Sequence, residues 1–221
     1  MNNNLILAST VLVLRDLNNK LEVLMVRRSK KPPFQNLHVF PGGKIDHDDS
    51  IKELEAFTDG INDEIASNIL GIEDGGLSFW IASIRECFEE VGILLAQKKS
   101  GEKLDFISSE KTKYENYRKM LVKNEINLLE ICQKEDLVLS TVNIAPLSHW
   151  ITPNIETKRF DTRFFIAYLP ENQIVKHDEV ELTQSIWINP LDAIKKAYEG
   201  EMHMIMPCLL YTSPSPRDRI A

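Results

Sequence analysis

The chain has 221 residues, 43% hydrophobic and 27% charged, with 33 acidic against 26 basic side chains and a formal net charge of −7. These values describe a globular chain of about one domain with insertions and exclude a disordered or fibrous class. The acidic balance argues against avid binding to nucleic-acid backbones, which needs a basic face, yet leaves a small phosphate-bearing substrate open.

The first apolar run, Leu5 to Leu14, is too short to span a membrane and lacks the basic flank of a signal peptide, so it reads as a buried strand with no membrane role. "NNK" (18–20) makes a turn into a second hairpin strand, "LEVLMVRRS" (21–29). In "KKPPFQNLHVFPGGK" (30–44) two prolines make an irregular loop, "LHVF" is a short strand, and Pro41-Gly42-Gly43 ends it. Residues 46–77 are polar, with helices expected around 50–58 and 61–70 before the loop "GIEDGG". A strong helix is predicted from Ser78, as N-cap, to Val91, with Gly92 ending it. Residues 98–136 are charged with helical apolar spacing, which suits one long amphipathic helix or a helical hairpin.

Strands are predicted at 147–153, 162–169 and 184–188, and a helix at 189–200 with Pro190 in its first turn. Strands and helices mix without β-α-β alternation, which favours an α+β sandwich with a mixed sheet. "CLLYTSPSPRD" (208–218) resembles one reading frame of a sequencing adapter, so residues 208–221 read as a non-native tail. On that reading 1–207 is a single domain with insertions at about 46–77 and 98–136, its native C-terminus truncated. Three widely spaced cysteines make neither a disulfide framework nor a CxxC metal pair, so a reducing, cytoplasmic setting is expected.

"IRECFEEVGI" (84–93) carries the chemistry. At about 100° per residue, Glu86, Glu89 and Glu90 fall within an arc of roughly 100°, opposite Trp80, Ile81, Ile84, Cys87, Phe88 and Val91. Like charges at i, i+4 repel, and the last turn of a helix disfavours anions. Stability alone would place lysine there. Carboxylates held where they repel suit a hard cation such as Mg²⁺ or Mn²⁺.

Arg85 to Ile93 resembles the second half of the Nudix box, REUxEExGU with U aliphatic, and "FPGGKIDHDD" resembles its opening. Gly43 and Arg85 stand 42 positions apart where the uninterrupted box has 14, so about 28 extra residues are inserted. A split box is a feature of Nudix hydrolases resembling the peroxisomal acyl-CoA diphosphatase, and "HWITPNIETKRFDTRFFIA" (149–167) resembles a second stretch of that group.

The resemblance implies a Nudix α/β/α sandwich and metal-dependent hydrolysis of a pyrophosphate linkage. It implies Glu89 and Glu90 as main ligands of Mg²⁺ or Mn²⁺, and Glu86 as a further ligand or the base. Arg85 would orient the carboxylates, and Gly43, Asp49 and Gly92 would be structural parts of the box. Glu179 and Glu181 are candidates for a late acid, and Arg28, Lys158, Arg159 and Arg163 for substrate phosphate. The implied substrate is the small molecule coenzyme A or acyl-CoA, giving 3′,5′-ADP and (acyl-)phosphopantetheine. The alternatives are hydrolysis of ADP-ribose, NADH or a dinucleotide, and a non-catalytic nucleotide-sensing module, which would have lost box acids.

Overall fold

A computed structural model describes residues 5–29, 36–108, 110–176 and 182–204. Strands β1 (Ile6–Leu17) and β2 (Lys20–Arg28) form an antiparallel hairpin, and its turn residues Asn18 and Asn19 have φ of 54° and 60°. Asparagine tolerates that left-handed region, which this turn type requires. The two strands pair only over residues 14–17 and 20–23, and then part.

Two short strands, β3 (His38–Val39) and β4 (Gly42–Lys44), fill the opening. β3 pairs with β2, and β4 pairs with β1, Gly43 opposite Ser9 and Gly42 opposite Thr10. The glycine pair expected to end a strand is therefore itself a strand, because β1 offers an unpaired edge there. A Cβ on Gly42 would collide with the Ser9 carbonyl and Thr10 Cα, so only glycine lets the chains approach this closely.

Strands β7 (Ile144–Ile151), β8 (Phe160–Tyr168) and β9 (Leu182–Ile188) complete the sheet, antiparallel except where β8 runs parallel to β1. Alternation along the strands sorts two cores. Val11, Val13, Leu24, Val26, Phe165 and Ala167 pack with helix α2 (Leu77–Val91). Leu12, Leu14, Val23, Met25, Phe164 and Ile188 pack with Ala193 of helix α5 (Pro190–Tyr198) on the other face. The result is the expected α+β sandwich with a mixed sheet. Ile81, Ile84 and Phe88 of α2 are at most 1% exposed, and each contributes about 1.5–3 kcal/mol of burial, an anchor able to hold charged neighbours out of water.

After β4 come two 3₁₀ helices, His47–Ser50 and Lys52–Phe57, in place of the helix expected around 50–58. Asp49 Oδ2 accepts from the Asp46 N–H at 2.8 Å, a local bond that favours tight turns over an α-helix. Helix α1 (Asp63–Leu70) follows, capped by Asn62 and closed by Gly71 at φ 67°. Its Asp63 carboxylate accepts the N–H groups of Gly75 (3.0 Å) and Leu77 (2.9 Å). This acid from the inserted helix caps α2, so α2 starts at Leu77 and not after Ser78, whose hydroxyl donates to the Gly75 carbonyl.

The charged segment expected as one long helix or a helical hairpin is a hairpin, α3 (Lys111–Val122) and α4 (Leu128–Glu135). A two-stranded sheet of β5 (Ala96–Lys98) and β6 (Leu137–Leu139), which the sequence pattern did not show, closes its base. Among the described residues no helix is long and apolar enough to cross a membrane.

Candidate active site

Arg85 is the centre of the site. It is 5% exposed, held low in the second turn from the end of α2 by the apolar neighbours just described. Its Nε and Nη2 reach both oxygens of Asp49 at 2.8 and 2.9 Å, a paired charge-assisted fork across 36 residues of sequence. Nη2 also donates to the Lys44 carbonyl at 2.9 Å, and Nη1 to Glu86 at 3.0 Å and Glu89 at 3.3 Å. Asp46 stands 3.8 Å from Nη2.

The glycine strand supplies the other wall. A Cβ on Gly43 would fall on the Glu86 carboxylate, and the Gly42 N–H donates to Glu90 Oε2 at 3.0 Å. The acids are therefore not a solvated face, as Glu90 is 7% exposed and Asp49 3%. Burial pushes the Glu86 carboxyl up to about 7, against the opposing pull of Arg85. Burial likewise raises Asp49 and Glu89. For Arg85 burial works against the charge, but Asp49, Glu86 and Glu89 outweigh it and raise its pKa.

Four carboxylates within 4 Å of one guanidinium leave a surplus of negative charge on an oxygen-only set. That donor chemistry fits a hard divalent ion. The arrangement is not yet a cage: among the described residues no three His, Cys, Asp or Glu side chains gather to hold a metal. The expectation that Glu86, Glu89 and Glu90 converge is corrected to this extent. Glu86 and Glu89 turn to Arg85, and Glu90 turns to the Gly42 N–H.

A family model described as the NUDT19 Nudix domain matches residues 62–213. The chain belongs to this Nudix family. A Xenopus laevis protein named acyl-coenzyme A diphosphatase NUDT19 is 26% identical over 86% of this chain and 58% of its own length. The human protein of the same name is 25% identical over 59% of this chain and 37% of its own. The chain thus spans between 37% and 58% of the length of these curated relatives. The crystal structure of a Nudix hydrolase from Alicyclobacillus acidocaldarius is 23% identical, covers 96% of this chain and 91% of that one, and superposes with a TM-score of 0.77, which shows the shared fold.

Gly43, Asp49, Arg85, Glu86, Glu89 and Glu90, far apart in sequence, lie around one guanidinium and one glycine strand. The candidate phosphate contacts are not gathered with them. Arg163 Nη1 donates to the Leu70 carbonyl at 3.1 Å and its guanidinium lies 5.8 Å from the Phe79 ring, so it pins the end of α1. Arg159 Nε holds the Thr152 carbonyl at 3.0 Å. Lys158 lies exposed beside Phe160, and Arg28 ends β2 half-buried. His149 pairs with Asp161 at 2.6 Å. Glu179 and Glu181 lie outside the described residues, as do residues 208–221, which were read as a non-native tail.

Sequence reasoning missed Arg118. This buried side chain of α3 donates to the carbonyls of Glu89 and Glu90, at the end of the acidic helix. An arginine inside a charged amphipathic segment carries no signal of such a role.

Proposed function

We propose that this chain is a divalent-metal-dependent Nudix pyrophosphohydrolase. It cuts the diphosphate of coenzyme A or an acyl-CoA, giving 3′,5′-ADP and (acyl-)phosphopantetheine. The observation that carries the chemistry is the Arg85–Asp49 fork, which rejoins the two halves of a split box across the insertion. The family match and relatives named acyl-coenzyme A diphosphatase support the substrate.

Glu86, Glu89 and Glu90 would hold Mg²⁺ or Mn²⁺, which when bound neutralises phosphate oxygens and acidifies a water. Arg85 orients two of these acids through one Nη1, and the Asp49 fork stops the guanidinium from turning away. Glu86 would be a further ligand of that ion or the base that accepts a proton at an Oε atom. Gly43 keeps the strand flush against that carboxylate. Of the four candidates for substrate phosphate, Arg28 and Lys158 are kept, and Glu179 or Glu181 is the candidate late acid.

A second reading, hydrolysis of ADP-ribose, NADH or a dinucleotide, is favoured by one observation. Arg159 and Arg163 are bonded to main-chain carbonyls, which leaves fewer cations for a 3′-phosphate. To separate the readings, the chain is incubated with Mg²⁺ and CoA, octanoyl-CoA, ADP-ribose or NADH, and products are identified by mass spectrometry. The expected products are 3′,5′-ADP and the phosphopantetheine from the first two, abolished in Glu89→Gln. Turnover of ADP-ribose alone would replace the leading substrate. No turnover in parent or variant would defeat both readings.

A further inference from the structure

The acids of α2 sit where the helix dipole disfavours anions, and the second insertion supplies the offset. α2 ends at Gly92, with φ 73° and its N–H on the Phe88 carbonyl at 3.0 Å. The next three carbonyls need partners from outside the helix. Arg118 of α3 supplies two: Nε donates to Glu89 O at 2.8 Å and Nη2 to Glu90 O at 2.9 Å. The third, Val91 O, accepts from the Lys176 N–H at 2.9 Å, and Arg118 Nη1 holds the Lys176 carbonyl at 2.6 Å. The guanidinium is thus a three-way junction between α3, the end of α2 and the strip ending at Lys176. Gly92 makes room for it, since a Cβ there would stand 3.2 Å from Nη1.

We infer that Arg118 is a positioning residue for the acidic helix: it grips the peptide carbonyls of Glu89 and Glu90 and so fixes the main chain that aims both carboxylates. It also sets a buried cation against the negative end of α2, where the acids by themselves are unfavourable. The hairpin 111–135 then acts as a clamp on the site. This role rests on the proposed reading that those carboxylates hold a divalent ion.

The test measures Mn²⁺ affinity of the full chain without substrate, by electron paramagnetic resonance of free Mn²⁺, beside thermal unfolding. Arg118→Met keeps the stem and removes the donors, and Arg118→Lys keeps the charge and fewer donors. Asp59→Ala removes the bonds to Thr141 Oγ1 and the Val142 N–H, both 2.9 Å, and serves as a destabilised control away from α2. Arg118→Met is expected to weaken Mn²⁺ binding about tenfold or more, as loss of a group orienting a ligand does. Arg118→Lys should restore part, Asp59→Ala should bind as the parent does, and kcat on octanoyl-CoA should fall in Arg118→Met with KM little changed. A lowered unfolding midpoint with Mn²⁺ affinity near the parent's would reduce Arg118 to an anchor and overturn the inference. If Arg118→Met does not fold, unchanged affinity in Arg118→Lys overturns it equally. A parent that binds no Mn²⁺ removes the underlying reading instead, and the inference with it.

Discussion

Alanine at Gly43 should disable the site while leaving the fold nearly as stable, and alanine at the adjacent Gly42 should cost the fold more. The first three atoms a Cβ on Gly43 would meet are Oε1, Cδ and Oε2 of Glu86, the far end of a flexible side chain. Moving that carboxylate away breaks one bond, Arg85 Nη1 to Glu86 at 3.0 Å, while Arg85 keeps Asp49, Glu89 and the Lys44 carbonyl. A charged hydrogen bond contributes about 1.5–3 kcal/mol. Freeing Glu86 from the burial that raised its carboxyl to about 7 returns part of that. The net loss should be about 1 kcal/mol. At Gly42 the obstacles are the Ser9 carbonyl and Thr10 Cα, main-chain atoms of β1 that cannot move without opening the β1–β4 pairing. Overpacking of that kind costs about 3 kcal/mol. Urea unfolding measures the stabilities, with equal slopes confirming comparable transitions, and Mn²⁺ binding measures the site. Equal destabilisation by the two substitutions, or parent-like Mn²⁺ affinity in Gly43→Ala, would refute the reasoning.

Asp49→Ala leaves Arg85 buried without its fork, and breaking such a pair costs about 3–5 kcal/mol; the low end is expected because Glu86 and Glu89 remain beside it. Urea midpoints check this, and adding Arg85→Met should recover part of the loss. The Glu135 carboxyl is held below its usual range: burial opposes ionisation, but Lys113 (2.6 Å), Lys98 (3.0 Å) and the Tyr117 hydroxyl (2.9 Å) prevail. Its stabilisation is present above the unfolded carboxyl pKa and is lost as pH falls through the lower folded value. The stability gap between parent and Glu135→Gln should therefore shrink between about pH 6 and pH 3, and a constant gap would contradict it. Cys87 and Cys132 are fully buried, burial raising the first thiol and pushing the second up to about 12. Maleimide should leave both unmodified in the native chain and label them in urea, as read by mass spectrometry.

What was legible in the sequence follows from local pattern. A short continuous apolar run marked β1, the hairpin turn and the run after it marked β2, and "NPLDAIKKAYEG" announced α5 through a proline at its start. The motif around Arg85 named the acids and their orienting residue. What local pattern could not show is pairing. Gly42–Lys44 is a strand only because β1 offers an edge there, and Ser78 lost the cap to an acid fourteen residues upstream of Leu77. The phosphate candidates Arg159 and Arg163 were chosen by charge alone, and their hydrogen bonds go to carbonyls of their own chain.

The sequence by itself determined the chemistry on offer: three glutamates and an arginine at helical spacing, a distant glycine pair, and an acid at position 49 to match. Side-chain identity and period are local properties, so they survive any folding detail. The tertiary structure alone decided how that chemistry is held. It brought Asp49 across the insertion onto Arg85, pressed Gly43 against Glu86, and drew Arg118 from a separate hairpin to the carbonyls of Glu89 and Glu90. Each of these satisfies a buried charge or an unpaired helix end. Such partners can come from anywhere in the chain, because burial makes the pairing compulsory without saying which residue supplies it.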